Sequence, residues 1–206
     1  MLSVSFAILF VCTGNVCRSP MAELLCRERA DPAAELSVSS AGMSALVGEA
    51  LDDASAAVLS ELGLDPGPHR ARQFDAAFAL DAGLVLTAET AHRDKIIAEV
   101  PTVWRRTFTM KEFTRLARHA SATEPAAIVA ELSWLRGADG ALPAGIDDLA
   151  DPYRGTVEQA RTTADEVTGV VQTVLRTLGF AAPPNRAPAA VTAASRPRPR
   201  PRPRPA

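Results

Sequence analysis

Three local signals in succession near the N-terminus constrain this chain more than anything else in it: an apolar run, a polar loop and a helix start. Residues 4–11 (VSFAILFV) form a short run rich in β-formers, as expected of a central strand in a parallel sheet covered on both faces. The loop 12–19 follows, and then Pro20-Met21-Ala22-Glu23-Leu24-Leu25-Cys26, a run of helix formers. Ser19 reads as the N-cap and Pro20 as the first helical residue, where its missing N–H would have had no partner anyway. The apolar run has the length of a signal-peptide core. No basic residue precedes it and no small-residue cleavage site follows, so it reads as a buried strand.

The alternation continues along the chain. Further strands are expected at 36–40, 84–87 and 104–110. Helices are expected from Asp52 or Asp53 through Leu62, at 90–100 with Pro101 closing it, at 111–119, at 125–135 and at 155–178 before Gly179. Strands separated by helices of ten residues or more give βαβ units. The expected fold class is therefore α/β, a four-stranded parallel sheet with helices on both faces. In such sheets ligands bind beyond the carboxyl ends of the strands, which is where the loop 12–19 lies.

That loop, Cys12-Thr13-Gly14-Asn15-Val16-Cys17-Arg18-Ser19, has the parts of an anion site. Its N–H groups and the positive end of the following helix can converge on one point. Gly14 is expected to supply a positive φ for the tight turn, and the Asn15 amide to brace the turn from within. Cys12, at the strand end among N–H dipoles and near Arg18, is suited to act as a thiolate nucleophile. Arg18 can grip two phosphate oxygens with its planar fork, which a lysine point charge cannot do. The Ser19 hydroxyl can hydrogen-bond the sulfur. A zinc role does not fit, because the three Cys (12, 17, 26) do not pair in spacing and His69, His92 and His119 are not clustered with them. No metal or cofactor is expected.

The segment from Val11 to Pro20 resembles the active-site signature of low-molecular-weight protein-tyrosine phosphatases. Ser39-Ser40-Ala41-Gly42, His69-Arg70-Ala71-Arg72-Gln73 and Asp151-Pro152-Tyr153-Arg154-Gly155 are similar to later landmarks of that family, in the same order. The resemblance spans about 1–180. It implies the flavodoxin-like, phosphotyrosine phosphatase I-like fold. It also implies Cys12 as nucleophile, Arg18 as phosphate-binding residue and Asp151 as general acid. Thr13, Gly14, Asn15, Val16 and Cys17 would line the phosphate cradle with Arg18, and Tyr153 would flank the substrate. Asn15, Ser19, Ser40 and His69 would brace the loop. A reversible Cys12–Cys17 disulfide is likewise implied by the family and not by spacing; a loop-packing role for Cys17 is equally open. Cys26 is read as core.

Asp151 also has support of its own. Cleaving a phosphomonoester needs a group that protonates the departing oxygen and later takes a proton from water. Pro152 biases Asp151 toward extended backbone, so its carboxylate can project from a loop. Asp147 and Asp148 are rivals, and Thr156 or Gly155 better suits the cap of the final helix.

Several positions depart from the family pattern. Residues 41–48 hold no aromatic for a cleft wall, Arg154 stands where a second aromatic is common, and Ala88-Glu89 replaces Met-Asp. Val16 lacks the hydroxyl that arginine-directed members carry there, so an aryl phosphate or a phosphotyrosine protein is the expected substrate. His92 and His119 are read as facing solvent from helices, and Arg72 as either a source of positive potential near the site or a solvated side chain.

Composition narrows the remaining classes. At 47% hydrophobic and 22% charged residues, the chain is not wholly disordered. Residues 1–180 carry 16 basic against 24 acidic side chains, a net of −8, which argues against nucleic-acid binding by the folded part. Three cysteines, an odd and low count, fit a reducing cytoplasm. No run reaches the ~18–20 apolar residues of a membrane span, so no membrane association is expected. Residues 181–206 hold six Arg, eight of the 16 Pro and five Arg-Pro repeats. They read as a disordered, polyproline-leaning tail outside the 1–180 domain, with its partner open.

Two other functions share part of this pattern. An arsenate reductase on the same fold would need resolving cysteines later in the chain, and none follows Cys26. A non-catalytic oxyanion-binding scaffold acting through the tail would need neither a nucleophile nor an acid.

Overall fold

The computed structural model describes residues 6–137, 140 and 142–183. The first two residues of the expected first strand, and the tail from 184 on, lie outside the described residues. Four strands, β1 (Phe6–Cys12), β2 (Leu36–Gly42), β3 (Leu84–Thr87) and β4 (Thr107–Thr109), form one parallel sheet in the order β2-β1-β3-β4. The register places Phe10 between Ser40 and Leu86.

The helices are α1 (Arg18–Arg29), α2 (Asp53–Glu61), α3 (Ala76–Asp81), α4 (Thr90–Glu99), α5 (Met110–Ala117), α6 (Pro125–Trp134) and α7 (Val157–Thr177). They cover both faces because β1 is apolar at every buried position. Ile8, Phe10 and Cys12 point into one cluster with Met21, Leu25, Phe113, Val167 and Val171 of α1, α5 and α7. Leu9 and Val11 point the other way, onto Ala79, Ile96 and Val103. The continuous apolar run is thus the signature of a strand buried on both sides.

Two elements differ from expectation. The fourth strand is three residues long instead of seven, because Pro101–Arg106 is a 3₁₀ turn that leaves Trp104 41% exposed. At the other end, Thr109 already caps α5 through a reciprocal pair of bonds with Glu112. The short helix α3, capped by Asp75, carries too few residues to show a period in the sequence. Among the described residues no helix is long and apolar enough to cross a membrane.

The chain order turns outward on either side of β1 and β3. β1 feeds α1 on one face and β3 feeds α4 on the other. The crevice beyond their carboxyl ends is where this architecture places ligands.

Candidate active site

The loop joining β1 to α1 is shaped from outside. The carbonyls of Cys12, Thr13, Gly14 and Val16 accept bonds from the N–H groups of Met43, Ser44, Leu46 and Asp52 at 2.9–3.0 Å. The Asn15 carbonyl accepts from His69 Nε2 at 2.8 Å. In a trans peptide the N–H points opposite to the carbonyl. Five consecutive carbonyls turned outward therefore leave the N–H groups of residues 13–17 turned inward, toward the start of α1. The Asn15 N–H donates to Cys12 Sγ at 3.3 Å.

The tight point of the loop is Asn15, with φ 56°, a left-handed conformation that Asn tolerates better than most residues. Gly14, expected to take that role, does not have positive φ. Asn15 is fully buried and fully satisfied. Its Nδ2 donates to Ser19 Oγ (3.0 Å) and Ser40 Oγ (2.9 Å), and its Oδ1 accepts from the Arg72 N–H (2.9 Å). Those bonds hold the strained residue in place. The Ser40 hydroxyl donates in turn to the Glu23 carboxylate, which also pairs with Arg27.

Helix α1 starts at Arg18, with Cys17 in the cap position but making no side-chain capping bond. Ser19 is not the N-cap. Its hydroxyl, 3.0 Å from Cys12 Sγ, is committed to the sulfur instead of to the helix end. Cys17 is buried, and burial pushes its thiol up to about 12, so it stays protonated at neutral pH. All three cysteines are free.

Arg18 is 1% exposed. One terminal nitrogen donates to the Glu89 carboxylate and to the Leu149 carbonyl (3.0 Å). The other donates to Asp151 Oδ2 (2.8 Å) and Thr13 Oγ1 (3.2 Å). Its Nε is buried and has no partner among the described residues. Arg18 and Asp151 line one pocket of about 120 Å³ together with Cys12, Thr13, Gly14, Val16, Cys17, Ser44, Leu46 and Tyr153.

The profile of the family described as low molecular weight phosphotyrosine protein phosphatase matches residues 7–132. The chain belongs to that family. It is 33% identical over 162 residues to the protein-arginine-phosphatase of Geobacillus stearothermophilus, a match covering 79% of this chain and 88% of the relative. Over 85 residues it is 48% identical to the low molecular weight protein-tyrosine-phosphatase Wzb of Salmonella typhi, covering 41% of this chain and 55% of that protein. Its fold matches the YwlE arginine phosphatase structure from G. stearothermophilus with a TM-score of 0.65 and 30% identity, over 84% of this chain and 93% of that one.

Within this low-molecular-weight phosphatase, the sequence-expected residues converge. Cys12, Arg18, Asp151, Thr13, Gly14, Val16, Cys17 and Tyr153 share the pocket, and Asn15, Ser19, Ser40 and His69 form the brace beneath it. The rival acids are occupied elsewhere: Asp147 pairs with Arg115 (2.8 Å) and Asp148 accepts from Thr90 N at the start of α4 (2.7 Å). Thr156 caps α7. Arg72 donates to the Ser40 carbonyl and lies over Phe78, so it does not line the pocket.

His92 corrects the sequence reading. It is 7% exposed and its Nε2 lies 3.0 Å from Thr13 Oγ1; burial is the main cause that lowers its pKa. It sits in the first turn of α4, which faces the crevice and not solvent. Glu89, a departure from the family pattern, holds Arg18. Its signal was available, since it lies just past the end of β3, at the same end of the sheet as Cys12. Glu23 follows Ser19 by four residues and so shares its helix face.

Proposed function

We propose that this chain hydrolyses phosphomonoesters through a phosphocysteine intermediate on Cys12, with phosphotyrosine or another aryl phosphate on a protein as substrate and the reducing cytoplasm as its setting. One observation carries the reading: Cys12 and the buried Arg18, whose Nε has no partner among the described residues, line the same pocket, under a ring of inward N–H groups. A phosphoryl dianion fits there, taking the fork formed by Nε and its neighbouring nitrogen.

The steps follow from that placement. The Cys12 thiolate attacks phosphorus, forming the S–P bond as the P–O bond to the leaving group breaks, and Asp151 gives its proton to the departing oxygen. Water then attacks the phosphocysteine, Asp151 takes a proton from it, and the S–P bond breaks to return the thiolate. The Ser19 hydroxyl stabilises that sulfur in both the resting and the departing state. The dianion displaces the Asp151 carboxyl from Arg18.

The walls decide substrate class. Val16, Leu46 and Tyr153 line the pocket, and Val16 offers no hydroxyl to a guanidinium. This supports an aryl ester over phosphoarginine, whatever the substrate of the Geobacillus relative.

The test is hydrolysis of p-nitrophenyl phosphate and of matched phosphotyrosine and phosphoarginine peptides. Cys12→Ser should abolish turnover. Asp151→Asn should lower kcat by ~10²–10⁴-fold while inorganic phosphate still binds. Turnover by Cys12→Ser would refute the mechanism, and faster release from the phosphoarginine peptide would refute the substrate class.

A further inference from the structure

The Thr13–His92 contact has no part in the scheme above, and hydrogen-bond accounting gives it one. The His92 Nδ1 is buried and has no partner among the described residues. A stranded buried N–H is rarer and costlier than a bare acceptor lone pair. The ring hydrogen therefore sits on Nε2, which donates to Thr13 Oγ1 at 3.0 Å. The same oxygen accepts from Arg18 at 3.2 Å. A hydroxyl has two acceptor lone pairs and one proton. With both lone pairs taken, the proton of Thr13 must point away from His92 and from Arg18. Thr13 is exposed at the pocket mouth and lines the pocket beside Cys12 and Asp151.

We propose that the Thr13 hydroxyl, aimed by His92, is a further hydrogen-bond donor to the phosphoryl group of the substrate, which makes His92 a positioning residue. This rests on the phosphatase reading and adds to it a side-chain donor beside the backbone N–H groups. Burial keeps the ring neutral against the facing charges. Arg18 acts in the same direction as burial, and Glu89, Asp151 and Asp148 oppose it. A cationic ring would gain an Nδ1–H with no acceptor in reach, so neutrality and the aimed hydroxyl are one arrangement.

The experiment measures kcat and KM on p-nitrophenyl phosphate and the inhibition constant of inorganic phosphate for the full chain. The variants are Thr13→Ser, Thr13→Val, His92→Gln, His92→Ala and the Thr13→Val/His92→Ala double, with a thermal melt for each. Thr13→Val should lower kcat/KM and weaken phosphate binding, each by about tenfold, the cost of one hydrogen bond to a charged group. Thr13→Ser should stay near wild type. His92→Ala should match Thr13→Val, and His92→Gln should recover most of the loss, because its amide N–H can stand where Nε2–H stood. In the Thr13→Val background, His92→Ala should add nothing further.

A Thr13→Val enzyme that binds phosphate as tightly as wild type overturns the inference. So does a His92→Ala loss that persists in full without the hydroxyl, or that His92→Gln does not relieve. Those results leave the phosphatase reading intact as long as wild type is active and Cys12→Ser is not. An inactive wild type, or an active Cys12→Ser, removes that reading and this inference with it.

Discussion

Ser19 shows how one residue can be claimed by two roles, and which wins. A serine before proline at a helix start is a good cap, but here its hydroxyl accepts from Asn15 Nδ2 and lies 3.0 Å from Cys12 Sγ. Its proton is then available to the sulfur, with the Ala41 carbonyl at 3.3 Å as the weaker alternative. The cap is given up, and the first bond of α1 runs from the Met21 N–H to the Cys17 carbonyl. The consequence is kinetic. The sulfur departs as an anion in the second step, so removing its donor should slow that step more than the first. Ser19→Ala should lower kcat by about 10²-fold, in the range of losing one donor to a developing anion. Rapid mixing should show a burst of nitrophenol followed by a slow steady state, because phosphocysteine accumulates. Equal slowing of both phases would mean that Ser19 serves the loop's shape and not the leaving sulfur.

At the scale of elements, the site is a loop wedged between the end of β1 and the segment that follows β2. The wedge is tight at Gly42, where a Cβ would stand 2.5 Å from the Thr13 carbonyl oxygen and 3.0 Å from the Asn15 nitrogen. Both obstacles are backbone atoms of the catalytic loop, so relief requires the loop to move. Gly42→Ala should destabilise the fold by about 1–3 kcal/mol, as overpacking does. It should also weaken phosphate binding, which calorimetry can measure, out of proportion to the shift in the melt. Unchanged phosphate affinity would show that the loop keeps its shape without this contact.

The same scale explains what the sequence made legible. Strand, loop and helix were readable from 4–26 because each signal is local and the chemistry lies within seven residues. Asp151 was readable only through Pro152 and the family resemblance, since nothing local brings it 133 positions back to Arg18. His92 faces the crevice and not solvent because its burial is created by β3 packing beside β1, a closure that no helical period records. The shortened β4 has a similar origin: a proline-opened 3₁₀ turn and a capping box meet there and leave three residues between them.

At the scale of the whole molecule, the two ends of the described chain close the fold at the end of the sheet away from the active site. Phe180 packs on Phe6 with ring centroids 5.6 Å apart, the Asp31 N–H donates to the Phe180 carbonyl at 2.8 Å, and Ala181 bridges Ala30. Phe6 and Cys12 are the two ends of β1, about 20 Å apart at the rise of a strand. We therefore propose that the domain boundary lies just beyond this closure, at the end of the sheet opposite Cys12. A chain cut after Pro183 should melt with the full chain and keep its kcat/KM on p-nitrophenyl phosphate. A chain cut after Gly179 loses the Phe180 ring and the Ala30–Ala181 bridge. Removing one half-buried aromatic should cost about 1–3 kcal/mol, or roughly 2–4 °C per kcal/mol for a domain of this size, with kcat changed far less than stability. A cut after Pro183 that lowers kcat/KM on so small a substrate would place part of the distal segment in the catalytic unit and move the boundary with it.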